Sequence, residues 1–151
     1  MKILPLNTND QVALGATHVI RITHEDLDET TADTDQTLTL AVEDGSLFDV
    51  VALKLETPFE DASDGDLNDT QISVGDGGDA DRFLTATQVN ENGTEIDYKQ
   101  GALGKAYAYN TADTVDILVE SMTGKSLSDI DTGVALLFVK LADLKIHGDY
   151  E

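Results

Sequence analysis

The sequence contains no cysteine and no tryptophan, and only two of its 151 residues are proline. Without cysteine, a disulfide framework, a thiolate zinc site and a cysteine nucleophile are all excluded. No apolar run approaches the length that a membrane-spanning helix needs. Aromatic residues are also few, with four Phe and four Tyr, so we expect most of them to be needed in a hydrophobic core.

Basic residues are scarce as well. Nine Lys and Arg face 30 Asp and Glu, which gives a formal net charge of −21. Nucleic acids and anionic lipids are both recognised through Lys and Arg. This charge therefore predicts that neither a nucleic acid nor a membrane is a partner. The same charge favours solubility and opposes self-association when little salt is present.

The sequence is dominated by apolar residues at every second position, the period of a half-buried antiparallel strand. Ile20 and Ile22 share one face, for example, and Leu38, Leu40 and Val42 share another. Segment Asp81 to Asn90 fits either a strand or a short helix. The predicted strands span residues 17–23, 36–42, 49–56, 70–74, 105–110, 114–121 and 133–141.

Glycine- and aspartate-rich turns, such as Gly75-Asp76-Gly77-Gly78 and Asn92-Gly93, separate these strands. A chain of this length with seven or eight short strands predicts one all-β domain, either a sandwich, a jelly roll or a small barrel. We favour a single-domain antiparallel β-sandwich of jelly-roll type over residues 17–151. Residues 1–16 have no clear period and are predicted to form an extended N-terminal arm.

One segment, Val134 to Leu141, differs, because its residues Ala135 to Val139 are apolar at consecutive positions instead of at alternate ones. Such a strand is expected either at the centre of a sheet with both faces covered or in a subunit interface. The interface interpretation predicts a symmetric homo-oligomer, a trimer in preference to a dimer.

Two aspartate-rich loops could supply the oxygen ligands that calcium requires. Their spacing does not fit an EF-hand loop, since Gly65 falls between Asp64 and Asp66 and the closing bidentate acid is missing. Aspartate and glycine also form ordinary turns, so these residues are weak metal candidates and no cofactor is predicted. The candidates are Asp61, Asp64, Asp66, Asp76, Asp79 and Asp81.

Two further groups of residues could form a site. His24 stands beside Glu25 and Asp26 and could act as a general base, but no Ser-His-acid spacing accompanies it, so we expect no enzyme and no catalytic residue. Three tyrosines could form an exposed aromatic patch that binds a sugar or a partner, although Tyr107 or Tyr109 is expected in the core. These tyrosines are Tyr98, Tyr107 and Tyr109.

Five segments in this order and spacing resemble virion structural proteins of tailed bacteriophages, of the capsid-decoration (cement) or head-fibre type. The similarity spans residues 17–144 and includes no catalytic motif, so no site residue is transferred. The segments are Asp49–Leu55 (DVVALKL), Phe59–Asp64 (FEDASD), Ile72–Leu84 (ISVGDGGDADRFL), Ala112–Ile117 (ADTVDI) and Lys125–Gly133 (KSLSDIDTG).

The resemblance implies a decoration protein that binds the outer surface of the major capsid shell and stabilises it by protein–protein contacts. A position on the outside of the virion agrees with the charge, because a protein of charge −21 that faced packaged DNA would be repelled. Two alternatives remain open: a phage tail or fibre module that binds host glycans, and a calcium-dependent carbohydrate-binding module.

Overall fold

A computed structural model describes residues 1–90, 98–102 and 105–145 of the chain. The fold is mostly β, with 54% of the described residues in strands. Two single-turn 3₁₀ helices, His24–Asp26 and Leu127–Asp129, and one α-helix, α1 (Thr8–Leu14), accompany the strands. The strands are β1 (Lys2–Pro5), β2 (His18–Thr23), β3 (Gln36–Val42), β4 (Ser46–Glu60), β5 (Gln71–Asp76), β6 (Asp79–Gln88), β7 (Tyr98–Gln100), β8 (Tyr107–Ala108), β9 (Asp113–Glu120) and β10 (Thr132–Asp143).

The strands form two antiparallel sheets in a β-sandwich-like arrangement. Sheet A has the order β1-β2-β10-β4-β7, and β8 pairs with the beginning of β4. Sheet B has the order β3-β9-β5-β6. Side chains from both sheets meet in one hydrophobic cluster, so the all-β prediction is confirmed, whereas the jelly-roll type stays a prediction.

The alternating residues lie where their period places them. Ile20 and Ile22 of β2, and Val115, Ile117 and Val119 of β9, are fully buried in this cluster. All seven predicted strands are present, although the one predicted at 105–110 is reduced to the two residues of β8. The ambiguous segment Asp81 to Asn90 is mostly strand, since it forms the greater part of β6.

Strand β4 departs from strict alternation at one point. Alternation along the sequence predicts that Val51 shares one face with Leu53 and Leu55, but Val51 is only half-buried, whereas Val50 is buried. Strand β10 pairs Phe138 with Ala52 and the next residue, Val139, with Val50, so Val51 is the extra residue of a β-bulge. A bulge shifts the phase of the side chains by one position, which accounts for the wrong assignment.

The extended N-terminal arm is not confirmed. Lys2–Pro5 form the edge strand β1, which pairs with β2 of the same chain, and the next segment is the helix α1. The Asn7 side chain accepts a hydrogen bond from the Asp10 amide, and Gly15 ends the helix in the left-handed conformation with φ of 68°. These are ordinary helix-capping signals. The predicted turn at Asn92-Gly93 lies outside the described residues.

Candidate interaction surface

The two-faced segment Val134 to Leu141 is the centre of sheet A. It belongs to β10, which lies between β2 and β4. Its residues Ala135, Leu137 and Val139 are fully buried in the core. Because neighbouring side chains of a strand point to opposite sides, Leu136 and Phe138 point outward, where they are half-buried. The inner half of the segment is therefore core, and only the outer half is available for an interface.

The outward side chains of sheet A, named face A here, form two adjacent rows across the strands. Residues opposite each other in antiparallel strands lie on the same face about 5 Å apart, so the strand register gives each row. The first row is mostly apolar and contains Leu4, Val19, Phe138 and Ala52. The second row alternates basic with apolar or aromatic residues and contains Lys2, Arg21, Leu136, Lys54 and Tyr98.

Face A gathers basic residues of a chain that has few of them. With Lys140, which lies one position beyond Val139 on β10, four of the nine Lys and Arg residues project from this face. These four are Lys2, Arg21, Lys54 and Lys140. Two acids lie beside them: Glu56 forms an ion pair with Lys54 at 3.0 Å, and Asp49 lies opposite Lys140.

Asp49 is in an unusual position for a carboxylate. Its Oδ1 atom is buried and has no hydrogen-bond partner among the described residues. Burial raises the pKa of Asp49 above its ordinary value, and the nearby Lys140 only partly opposes this effect. Burial therefore disfavours the charged form of this acid on face A.

The outward side chains of sheet B, named face B, have a different composition. Strands β3, β9 and β5 contain no Lys or Arg. Two acids, Asp116 and Glu120, and the half-buried Leu118 project from the central strand β9. The other outward residues of these strands are small or polar, namely Thr37, Thr39, Ala41, Thr114, Gln71, Ser73 and Gly75.

A cluster of polar side chains closes one end of the sandwich. The Asp76 carboxylate, of which 5% is exposed, accepts hydrogen bonds from Arg82 Nε at 2.8 Å and from the Tyr109 hydroxyl at 3.2 Å. It also accepts the backbone N–H groups of Gly78 and Asp79. Burial alone would raise the pKa of Asp76, but the Arg82 and backbone hydrogen bonds hold this pKa below its ordinary value. The cluster links the β5–β6 hairpin to Tyr109.

Glycine is required next to this cluster. A Cβ atom added to Gly75 would lie 2.1 Å from the Asp79 carbonyl oxygen and 2.3 Å from a backbone carbon of Ala80. The close approach of the two hairpin strands therefore depends on a residue without a side chain.

The three tyrosines do not form a single patch. Tyr109 is buried and stacks edge-on against Tyr107, whose ring also lies 4.4 Å below the Arg82 guanidinium. Tyr98 is 72% exposed and pairs with Lys54 of β4, whereas Tyr107 pairs with Phe48 of the same strand. Lys54 and Phe48 are six residues apart. Six residues of strand correspond to about 20 Å. The aromatic-patch hypothesis is wrong in this form, because Tyr98 lies on face A, apart from the other two.

Asp61 and Asp64, two of the candidate calcium ligands, border an open cavity of about 500 Å³ that Leu67, Asn68 and Asn90 also line. Both carboxylates already have partners, since Asp61 accepts a hydrogen bond from the Ser63 amide, and Asp64 accepts one from the Asp66 amide and forms an ion pair with Lys125. Among the candidates of the next loop, Asp76 is paired with Arg82. No three His, Asp or Glu side chains within the described ranges are arranged to hold a metal ion.

The candidate general base lies in the short 3₁₀ helix after β2. Asp26 caps this helix by accepting the Thr23 amide at 2.8 Å, and it forms an ion pair with the N-terminal amine. The Nδ1 atom of His24 is buried and has no hydrogen-bond partner in the described part of the chain. No catalytic pair of His24 with a neighbouring acid is formed by these contacts.

Alternation within β2 and β4 predicts that Arg21 and Lys54 lie opposite the apolar residues of their own strands, but it does not predict face A. Only the sheet order brings β2, β10 and β4 together and aligns these side chains. No helix in the described ranges is long and apolar enough to cross a membrane. Comparison with protein-family models, curated proteins and solved structures finds no match to this chain.

Proposed function

We propose that this protein acts by binding and not by catalysis, as a decoration protein on the outer surface of a phage capsid. The observation behind the proposal is face A, where an apolar row and a basic row lie side by side on a molecule of charge −21. The resemblance to virion structural proteins names the partner, the major capsid protein.

Charge decides which surface docks. Bringing an acidic surface against another protein's ordinary mixed surface is opposed by repulsion wherever acids meet. Face A holds four basic residues beside two acids, one of which has a raised pKa. Docking through face A would place the strongly acidic remainder of the protein toward solvent, away from the shell and its DNA.

The size of face A approaches that of a standard contact surface. Its five strands contain 40 residues, each taking about 3.3 Å along the strand and about 4.8 Å across it, which gives roughly 600 Å². Stable interfaces bury ~800 Å² per partner, so face A would supply most of such a contact. The apolar row of Leu4, Val19, Phe138 and Ala52 is also the kind of composition that interface cores have.

We also propose that the protein is a homo-oligomer, a trimer in preference to a dimer. In the segment that motivates this proposal, Leu136 and Phe138 are the outward residues, because Ala135, Leu137 and Val139 belong to the core. Both contacts would draw on face A, so each copy must divide that face between its neighbours and the shell. Light scattering at physiological salt tests this directly. A mass near 16.2 kDa at micromolar concentration would refute it.

Cosedimentation with capsids that lack the protein tests the decoration role. Leu136→Asp should abolish binding, whereas Leu118→Asp should leave it intact. The two leucines match, since each is half-buried on the outer face of a central strand, but Leu118 is on face B. Equal binding by both variants, or failure of the unaltered protein to sediment with the capsids, would overturn the proposal.

A further inference from the structure

Strand β3 forms an open edge of sheet B. It pairs with β9 on one side, and no described strand pairs with its other side. Within the described residues, its backbone makes no hydrogen bonds outside the pairing with β9. Its first residue, Gln36, has side-chain hydrogen bonds to the backbone of Asp26, Asp28 and Glu29. The open stretch is thus residues 37–42.

The other strands that end a sheet have features that prevent the addition of a further strand. Strand β1 is four residues long and contains Lys2 and Pro5. Strand β7 is three residues long and contains Lys99. Strand β6 contains several charged residues and pairs with β5 through two register shifts. Shortness, charge, proline and bulges are the devices by which proteins protect their sheet edges.

Strand β3 has none of these features. Its seven residues, QTLTLAV, include no charge, no proline and no glycine. It pairs with β9 from Gln36 to Val42 without a register shift, so the edge is regular along its whole length. Leu38 and Leu40 point toward the core but are only partly buried. An additional strand along this edge would cover both leucines.

The charges at the two ends of β3 indicate what kind of strand would fit. Asp33 and Asp35 precede the strand, and Glu43 and Asp44 follow it, of which Asp44 is already paired with Lys145. A second copy paired antiparallel about Thr39 would place Asp35 opposite Glu43 at both ends of the pair. Like charges directly opposite each other are destabilising, so self-pairing is disfavoured, and a segment with basic ends is favoured.

We propose that β3 is a strand-addition site for a partner protein. The occupant is an extended segment with an uncharged centre about as long as β3 and with Lys or Arg at both ends. Its backbone would hydrogen-bond to residues 37–42, and its basic ends would meet the acidic ends of the strand. The site is separate from face A, since it is the edge of the other sheet, and it does not depend on the decoration role.

Amide chemical shifts and hydrogen exchange of the full chain test this proposal with a synthetic peptide. The probe alternates threonine and valine over about seven residues, the usual length of a strand, and has two lysines at each end. One control peptide has the same charges but N-methylated alternate amides, which cannot pair with a strand. A second control replaces the lysines by glutamates.

We expect shift changes and slower exchange confined to residues 37–42 and their neighbours on β9, with the lysine-flanked peptide only. Glu43→Gln should weaken its binding about two- to fivefold, the effect of one exposed charge pair. Asp81→Asn, which removes an equally exposed charge on β6, should not. The variants differ only at the surface, so both should fold.

Three results would overturn the proposal. Equal binding of the N-methylated peptide would mean that the peptide adheres only through charge. Unchanged β3 amides at saturating peptide would place any binding elsewhere. Protection of β3 amides that rises with protein concentration alone would show that a second copy occupies the edge.

Discussion

The outer faces of the two sheets differ although both are built from alternating strands. Face A combines Leu136 and Phe138 with four basic side chains, whereas face B presents threonines, small residues and acids. The inner faces, by contrast, are equally apolar and merge into one core. Alternation therefore determines which side of a strand is buried, and strand order determines which exposed side chains become neighbours on the surface.

Two aspartates show the same contrast in their electrostatics. Asp49 on face A has a pKa raised by burial, because no hydrogen bond compensates its Oδ1 atom. Asp76 at the end of sheet B is more deeply buried, yet its pKa is lowered because Arg82 and backbone amides stabilise the charged form. Burial disfavours the charged form of both carboxylates, and it raises the pKa only where the partners do not outweigh it.

The largest effect on stability should come from placing a charge on the inner side of β10 instead of on its outer side. Leu137→Asp places a carboxylate in a site that is 0% exposed, and it should lower the free energy of unfolding by about 4 kcal/mol or more. Leu136→Asp, its neighbour on face A, should cost about 1 kcal/mol or less. Urea denaturation followed by circular dichroism measures both. Similar losses for the two variants would contradict the assignment of the two faces.

The next effect concerns Asp76. Asp76→Asn removes the charge that Arg82 pairs with and should cost about 2 to 3 kcal/mol at pH 7. The folded pKa of Asp76 lies below the unfolded value of 3.8, so its contribution is present above pH 3.8 and is lost as pH falls through the folded pKa. Denaturation from pH 7 to pH 2 should show the variant and the unaltered protein converging in acid. A difference independent of pH would contradict this account.

A smaller effect is expected from salt. Thirty acids repel one another on the folded surface, and salt screens that repulsion. The melting temperature should rise by several degrees between low salt and about 0.5 M sodium chloride. Calorimetry at matched ionic strength with millimolar calcium is the control. A much larger rise with calcium would indicate that the aspartate loops bind metal, and a flat salt response would contradict the repulsion argument.

The smallest effect should come from Asp49→Asn. The folded pKa of Asp49 lies above the unfolded value of 3.8, so its charged form reduces stability at pH 7, and this penalty is relieved as pH falls through the folded pKa. The variant should be slightly more stable than the unaltered protein at pH 7 and no more stable below pH 3.8. Thermal melts at the two pH values measure the difference. A destabilised variant at pH 7 would show that Asp49 has a favourable partner on face A.

The sequence by itself determined the fold class, most strand positions and the inward residues. This succeeded because a period of two reports burial locally, as at Ile20 and Ile22 or along β9. The bulge at Val51 could not be read in the same way, since an extra residue becomes visible only when β4 is aligned with β10. The helix α1 was missed because Asn7 and Gly15 are weak signals beside an aperiodic segment.

Only the tertiary structure decided which strands became neighbours, and with that the character of each surface. Lys2, Arg21, Lys54 and Lys140 are far apart in the sequence and lie on one face because β1, β2, β10 and β4 are adjacent in sheet A. The open edge of β3 likewise depends on sheet order, because an uncharged strand is unremarkable when it has partners on both sides. Pairing between distant strands depends on contacts along their whole length, which no local pattern specifies.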